Sequence, residues 1–311
     1  MRAVQFTEYG PPGVVHVASV TAPHAEAGTI RIAVRASGFS AGETLIRSGR
    51  LRAVIPATFP FRTGFDAAGV VDEVGAGVSG VAVGDEVFGM TRLAGRGANA
   101  DQVVLAFWAP KPASWSWAEA GGAAGSVETA TRVLDRLAIG AGQTVLVQGA
   151  AGGTGSVVVQ MAVARGARVI GTASERNHDF LRALGVEPTT YGPGLVERVR
   201  ALAAAGVDAV VDCARGALPD LIALTGDPGR VVTIADLEAA KHGVHLSRVA
   251  SADQLAVHGL GIAVQLAAEG RLRIPVAAEL PLTSAAAAHE LSETGHAPGR
   301  IVLIHQEPPA L

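Results

Sequence analysis

One segment restricts the fold more than any other: residues 144–164, TVLVQGAAGGTGSVVVQMAVA. An apolar run, Thr144–Val147, reads as a strand. A glycine-rich turn follows, and Thr154–Arg165 then reads as a helix. A turn that cradles a dinucleotide needs a tight bend, a position where the backbone can approach a pyrophosphate, and a position where strand and helix cross closely. Ala150, Gly152 and Gly155 keep that spacing, with Gly149 and Gly153 as further flexible positions. The phosphates then sit on the N–H groups of Gly153, Thr154 and Gly155, where the helix begins. A glycine turn that holds no ligand is the alternative. The flanking strand and helix weigh against it.

The next strand, Arg168–Thr172, runs into VIGTASERN. An NAD site carries Asp or Glu at this strand end to hold the ribose hydroxyls. Here the position is Ala173, and Thr172, Ser174 and Arg176 are placed to bind a 2′-phosphate, so NADPH is favoured. Glu175 keeps NAD open. A solvated helix start capped by Ser174 is the plainer reading. The missing acid also argues against a methyltransferase site.

Further β and α signals alternate along the middle of the chain: helix Glu175–Leu184, helix Gly194–Ala204, strand Ala209–Asp212 and strand Arg230–Ile234. This alternation predicts a doubly wound parallel sheet. Before it, residues 1–120 are β-rich, with RAVQF, TIRIAVRAS, AAGVVDEVG, VAVGDEVFG and ADQVVL as short strands. A helix is expected over SWAEAGGAAGSVETATRVLDRL, with Ser116 and Glu119 at capping-box spacing. A short strand GVHLS and a helix Ala252–Glu269 follow the parallel sheet. The tail reads as strand, alanine-rich helix carrying little chemistry, and strand, with EPPAL frayed.

Length and charge limit the classes. With 311 residues, two domains are expected. A net charge of −3 gives no electrostatic case for nucleic acid or an anionic membrane. No long uninterrupted apolar run suggests a membrane span. The single cysteine, Cys213, allows no intrachain disulfide, and a cytoplasmic location is expected. In AVVDCA it reads as a packed strand end rather than a reactive thiol.

The segments RTGFDAAGVVDEVGAGVSGVAVGDEVFG (62–89), VLVQGAAGGTGSVVVQMAVARGARVIGTAS (145–174) and APGRIVLI (297–304) resemble the zinc-free quinone oxidoreductase branch of the medium-chain dehydrogenase/reductase superfamily. Ala150 is what that branch carries in its turn. The resemblance implies an α/β chain. A GroES-like catalytic domain is formed by residues 1–120 and completed by a return segment, 257–311, around a Rossmann NADP-binding domain, 121–256. It also implies a homodimer paired through an edge strand at Val244–Ser247.

Metal distinguishes the branches. Zinc relatives use Cys, His and Cys at the catalytic site, and here Phe65 stands at the histidine position and Ser40 near the first cysteine. Catalytic zinc needs about three protein ligands, and Asp66 alone does not supply them. His242 and His245 read as surface histidines. No metal is expected. Without a Lewis acid, hydride transfer to a quinone or conjugated C=C is favoured over plain alcohol oxidation.

The resemblance also assigns residues. SGFSAGETLIRSG (37–49) matches a loop lining the nicotinamide and substrate cleft, with Ser40 and Glu43 in place of the family's Asn and Asp. Arg47 matches a family arginine, for substrate contact or an ion pair with Glu43 or Asp66. In SVETATRVL (126–134), Thr129 would lie near the nicotinamide. Glu128 replaces an apolar residue, as a cleft carboxylate or an exposed helix glutamate. Tyr191 matches an aromatic on the adenine-ribose side, with a packed surface tyrosine as its rival. The strand ends Asp212–Ala214, including Cys213, and Ile234–Asp236 would line the cofactor through backbone groups. Ile46 lies near where some relatives place an acidic tyrosine, and the chain's only tyrosines are Tyr9 and Tyr191, so no proton donor is evident. The arginines of TRLAGRGANA (91–100) would meet an acidic carrier or substrate, or water.

The expected activity is zinc-independent, NADPH-dependent reduction of a quinone or α,β-unsaturated carbonyl. A biosynthetic enoyl reductase and a weakly catalytic NADPH-binding sensor are the alternatives.

Overall fold

A computed structural model of the chain describes residues 1–92, 95–248, 253–295 and 297–305. In chain order the first elements are β1 (Arg2–Phe6), β2 (His16–Ser19), β3 (Ile30–Phe39), α1 (Ala41–Arg47), β4 (Phe61–Arg62), β5 (Asp66–Val74), β6 (Glu86–Met90), β7 (Gln102–Leu105), β8 (Phe107–Pro110), α2 (Trp117–Gly121) and α3 (Ala124–Arg136). There follow β9 (Thr144–Gln148), α4 (Gly155–Ala164), β10 (Arg168–Thr172), α5 (His178–Ala183), β11 (Glu187–Thr189), α6 (Leu195–Leu202), β12 (Ala209–Asp212), α7 (Leu218–Thr225), β13 (Val231–Thr233) and β14 (His245–Leu246). The last are α8 (Gly259–Ala268), β15 (Val276–Pro281), α9 (Ala285–Glu293) and β16 (Arg300–Ile304). No helix among the described residues is long and apolar enough to cross a membrane. The chain divides into two compact units, Met1–Gly125 with Leu260–Leu311, and Ser126–Gly259.

The first unit is built on a sheet of order β15-β16-β3-β5-β6-β8, with β7 also paired to β3, and a smaller sheet β2-β1-β4. In β3 the first six residues alternate buried and half-buried, as the apolar-polar pattern dictates. Their buried face supplies Ile30, Ile32 and Val34, which pack on Val71, Val87 and Leu105. Helix α9 closes a second cluster over Val4, Phe39, Ile301 and Leu303.

The second unit is an all-parallel sheet of order β11-β10-β9-β12-β13-β14. Its central strands are buried on both faces, which suits their valine-rich runs. The strand order reverses between β9 and β12, and ligands of such sheets bind beyond the strand ends at that point.

Several elements differ from the sequence expectation for identifiable reasons. The capping box forms at Ser116 and Glu119, but the expected single helix is two, α2 and α3. The break falls at Gly122 and Ala123, just after Gly121, which packs so closely on β3 that an added Cβ would be 2.6 Å from the Ala36 methyl. The 40–47 stretch is a short helix rather than a loop, because Ser40 caps α1 by accepting the Gly42 N–H at 3.2 Å. Helix α8 begins at Gly259, later than the expected Ala252, which lies outside the described residues. The Ala256 N–H is taken by Glu128 Oε1 at 3.2 Å instead of by a helix carbonyl. The tail helix contributes one structural ion pair, Glu293 with Arg47. EPPAL lies outside the described residues.

Candidate active site

The glycine turn is held from the neighbouring strand. Gly149 adopts φ +74, in the left-handed region that suits glycine. Its N–H donates to Thr172 Oγ1 at 3.0 Å, and the Ala150 N–H donates to the Thr172 carbonyl at 3.0 Å. Thr172 in turn donates its hydroxyl to Gln148 Oε1 at 2.6 Å. Ala150 fits where a glycine is usual because Gly171 leaves room: a Cβ there would be 2.8 Å from the Ala150 methyl. A Cβ on Gly155 would be 2.2 Å from the Gly149 carbonyl oxygen, so only glycine lets α4 start this close. Among the described residues, a Cβ on Gly152 would meet only that oxygen, at 3.3 Å.

At the start of α4, Ser156 and Val157 donate to the Gly152 and Thr154 carbonyls. The N–H groups of Gly153, Thr154 and Gly155 stay outside the helix ladder, at the positive end of the helix. An open backbone at Gly152 beside these donors fits the pyrophosphate of a nicotinamide dinucleotide.

The structure separates the residues expected at a 2′-phosphate. Thr172 is fully buried and its hydroxyl faces the turn, so it supports the turn rather than a phosphate. Ala173 is buried, its N–H donating to the Thr189 carbonyl at 3.0 Å. Ser174 makes no side-chain cap and accepts instead from Asn177 Nδ2 at 3.3 Å. Arg176 is exposed and makes no hydrogen bond or ion pair among the described residues. Tyr191 is 56% exposed.

At the β9/β12 switch point the N–H of Cys213 donates to Gln148 O, that of Ala214 to Asp212 Oδ1, and that of Ile234 to Asp212 O. These strand ends therefore lack free N–H groups, and any backbone contact with a cofactor falls to their carbonyls. Burial pushes the Asp212 carboxyl up to about 6, against bonds from Thr233 Oγ1 and the Ala214 N–H. Burial, and then the Asp212 charge, also raise the Cys213 thiol, which disfavours a reactive thiolate.

Glu128 is fully buried, which rules out an exposed helix glutamate. Its Oε1 accepts from Arg132 Nε at 2.8 Å, an i,i+4 pair whose spacing is present in the sequence. Arg132 also bonds Ser247 and lies 3.7 Å from Asp253, which accepts from Ser247 Oγ at 2.7 Å and meets His245 Nε2 at 2.9 Å. His245 is therefore a half-buried partner in a network. Thr129 is half-buried, its hydroxyl donating to Glu128 Oε2 at 3.3 Å.

In the first unit, Ser40 is half-buried and Glu43 is 3% exposed. Glu43 Oε1 accepts the Gly64 N–H at 2.6 Å, while Oε2 has no hydrogen-bond partner. Burial pushes this carboxyl up to about 7, against the Arg96 guanidinium and the Gly64 N–H. Arg96, one of the loop arginines, thus faces a buried carboxyl rather than bulk water alone.

Arg47 is 1% exposed and pairs with Glu293 and the Gly10 carbonyl, not with Glu43 or Asp66, so it is a structural arginine. Asp66 accepts from the Gly125 N–H at 3.1 Å and from Arg300 at 3.3 Å. His289, unremarked in sequence, packs edge-on against Phe39 with its ring held down to about 3 by burial and by Arg47.

Glu43 gives a pH-dependent expectation. Its folded-state value lies above the ordinary 4.5. The stabilisation from its protonated form is complete below that value and is lost as pH rises through about 7. Glu43→Gln is expected to gain stability relative to the parent by roughly 3 kcal/mol between pH 4 and 8. Urea denaturation of both proteins across that range measures it. A constant difference would show an unshifted carboxyl.

Among the described residues no group of three or more His, Cys, Asp or Glu side chains could hold a metal ion. The β-rich unit and the parallel sheet with its glycine turn together define a pyridine-nucleotide oxidoreductase fold. Residues 26–138 match the alcohol dehydrogenase GroES-like domain, and residues 184–303 match the zinc-binding dehydrogenase family. The chain is 30% identical to the quinone oxidoreductase of Rattus norvegicus, over 93% of each chain. It is 32% identical to erythronolide synthase EryA2 of Saccharopolyspora erythraea over 96% of this chain but 9% of that protein. The solved quinone oxidoreductase from Coxiella burnetii is 27% identical, with TM-score 0.78 over 98% of this chain and 99% of that one. The chain belongs to the medium-chain dehydrogenase/reductase superfamily, among the quinone oxidoreductases and their relatives.

Proposed function

We propose that this protein is a zinc-independent, NADPH-dependent oxidoreductase that transfers hydride to a quinone or an α,β-unsaturated carbonyl. The observation that carries the reading is the turn at Gly149–Gly155, open at Gly152 and lined by N–H donors, next to a strand end where Ala173 replaces the ribose-binding acid. Phe65 and Ser40 at the zinc-ligand positions support a metal-free reaction.

Bound nicotinamide supplies the hydride. The protein's own residues bind and orient. Gly153, Thr154 and Gly155 hold the pyrophosphate on their N–H groups. Arg176, exposed and free of other ion pairs among the described residues, and Ser174 hold the 2′-phosphate. Thr129, fixed by Glu128 and Arg132, presents its hydroxyl to the nicotinamide. Ser40 keeps its hydroxyl proton free to donate, because its oxygen already accepts from Gly42. Glu43 is placed to hold a proton near neutral pH. A cytoplasmic homodimer paired through β14, the edge strand, belongs to the same reading.

Arg176→Ala is expected to weaken NADPH binding by about tenfold and leave NADH unchanged. Fluorescence titration with both nucleotides tests this, and equal loss for the two would remove Arg176 from the 2′-phosphate. The match to erythronolide synthase over nearly the whole chain favours one second reading, an enoyl reductase serving biosynthesis. Turnover of conjugated acyl thioesters in preference to quinones would select it. Tight NADPH binding with no turnover on any acceptor would instead mark a sensor.

A further inference from the structure

The first unit holds a cavity of about 210 Å³ whose lining includes Arg62, Arg92, Arg96, His24, Glu26 and Gln102. Glu26 is the only carboxylate among its lining residues. The other polar groups are already engaged: Gln102 donates to Asp72 at 2.6 Å, and His24 meets Glu73 at 3.2 Å. Arg62 and Arg92 are exposed, and their guanidiniums make no hydrogen bond or ion pair among the described residues, although the Arg92 carbonyl accepts from the Gly95 N–H at 2.8 Å and from Thr91 Oγ1 at 3.0 Å.

Backbone contacts hold Arg96 near Arg62 at this cavity. Gly64 donates its N–H to Glu43 and accepts from the Gly97 and Ala98 N–H groups at 2.9 and 3.2 Å, which clamps the loop carrying Arg96. The fit at this clamp is tight: a Cβ on Gly64 would be 2.3 Å from the Asn99 nitrogen. Gly97, at φ +100, brings the same loop against the stem of Arg62, with its absent Cβ 3.5 Å from Arg62 Cβ and Cδ. Arg96 lies over the Phe61 ring at 5.7 Å, one residue from Arg62. Arg96 has one counter-charge, the buried Glu43. Three arginines thus line one cavity whose lining holds a single carboxylate, Glu26, with the buried Glu43 facing Arg96, so positive charge exceeds negative there and favours an entering anion.

We propose that this cavity is an oxyanion site, in which the guanidiniums of Arg62, Arg92 and Arg96 bind the carboxylate or phosphate of a small molecule. Guanidinium forks suit both groups, which accept paired N–H bonds. The cavity is smaller than the roughly 300–1,000 Å³ of sites that enclose a whole drug-sized ligand, so it takes the charged end of one.

The test uses the NADPH-saturated protein at fixed ionic strength. Inorganic phosphate and acetate are titrated against chloride by calorimetry. The parent is expected to bind phosphate or acetate with a Kd on the order of 1 mM. Arg62→Gln/Arg92→Gln is expected to raise that Kd at least about tenfold, with unchanged circular dichroism and NADPH affinity. No binding by the parent, or equal binding by the double variant, overturns the proposal.

A second arm rests on the proposed reductase activity and separates the sources of the anion. A conjugated enone bearing a carboxylate is compared with its methyl ester. If the acid's advantage in kcat/KM disappears in the double variant, the oxyanion is carried by the substrate. If phosphate binding alone is lost, a free anion occupies the site. Either result supports the site, and the calorimetry stands even if no turnover is found.

Discussion

Gly152→Ala is expected to weaken NADPH binding by about a hundredfold while leaving stability nearly unchanged. Among the described residues the added methyl would meet only the Gly149 oxygen, at 3.3 Å, and it would project to the side of the turn where the pyrophosphate is proposed to lie. Gly155→Ala should behave differently. Its methyl would lie 2.2 Å from the Gly149 oxygen and 3.0 Å from the Gly149 carbonyl carbon, so the turn must open. That shift displaces the N–H donors at the start of α4 and strains the contact between turn and helix, so stability and NADPH affinity should fall together. Fluorescence titration with NADPH, paired with thermal unfolding, distinguishes the two variants. Unchanged affinity in Gly152→Ala would mean that the turn holds no dinucleotide.

Arg132→Met is expected to destabilise the second unit by about 3–5 kcal/mol. The change removes the partner of Glu128, which is fully buried, and one of the cations facing Asp253, whose desolvation is outweighed by the hydrogen bonds from His245 and Ser247 together with the charges of His245 and Arg132, so that its carboxyl is held low. It also leaves Ser247 without its guanidinium donor. The double variant Glu128→Leu/Arg132→Met should recover much of the loss. An apolar pair of similar volume avoids the desolvation of two charges, although the Ala256 N–H then loses its acceptor. Urea unfolding of the single and double variants measures the coupling. A single variant as stable as the parent would show that the network contributes nothing.

The parts of this fold that are local in sequence are the parts legible there. The strand ending at Gln148, the glycine spacing and the helix from Gly155 depend on neighbours within a few residues. The capping box at Ser116 is likewise local. Helix α1 is not legible in the same way. Its residues include Gly42 and the charged Glu43 and Arg47, a polar pattern that buries only because distant groups receive it. Arg47 meets Glu293 across 246 positions of sequence, and no pattern near either residue announces the pair.

The candidate site divides along the same line. Gly152 and Gly155 stand where spacing places them, whereas Thr172 proves to be a support for the turn because its partner, Gln148, lies on the neighbouring strand. The spacing of Glu128 and Arg132 is readable as a helix pair. That Glu128 also caps the Ala256 N–H, and so delays the start of α8, requires the tertiary fold.

The most direct test of the account is steady-state oxidation of NADPH by the chelator-treated protein, with a naphthoquinone and a conjugated enone as acceptors. The account predicts turnover unaffected by the chelator and at least about tenfold greater kcat/KM with NADPH than with NADH. Failure to bind NADPH, or activity that disappears on chelation and returns with zinc, would contradict it.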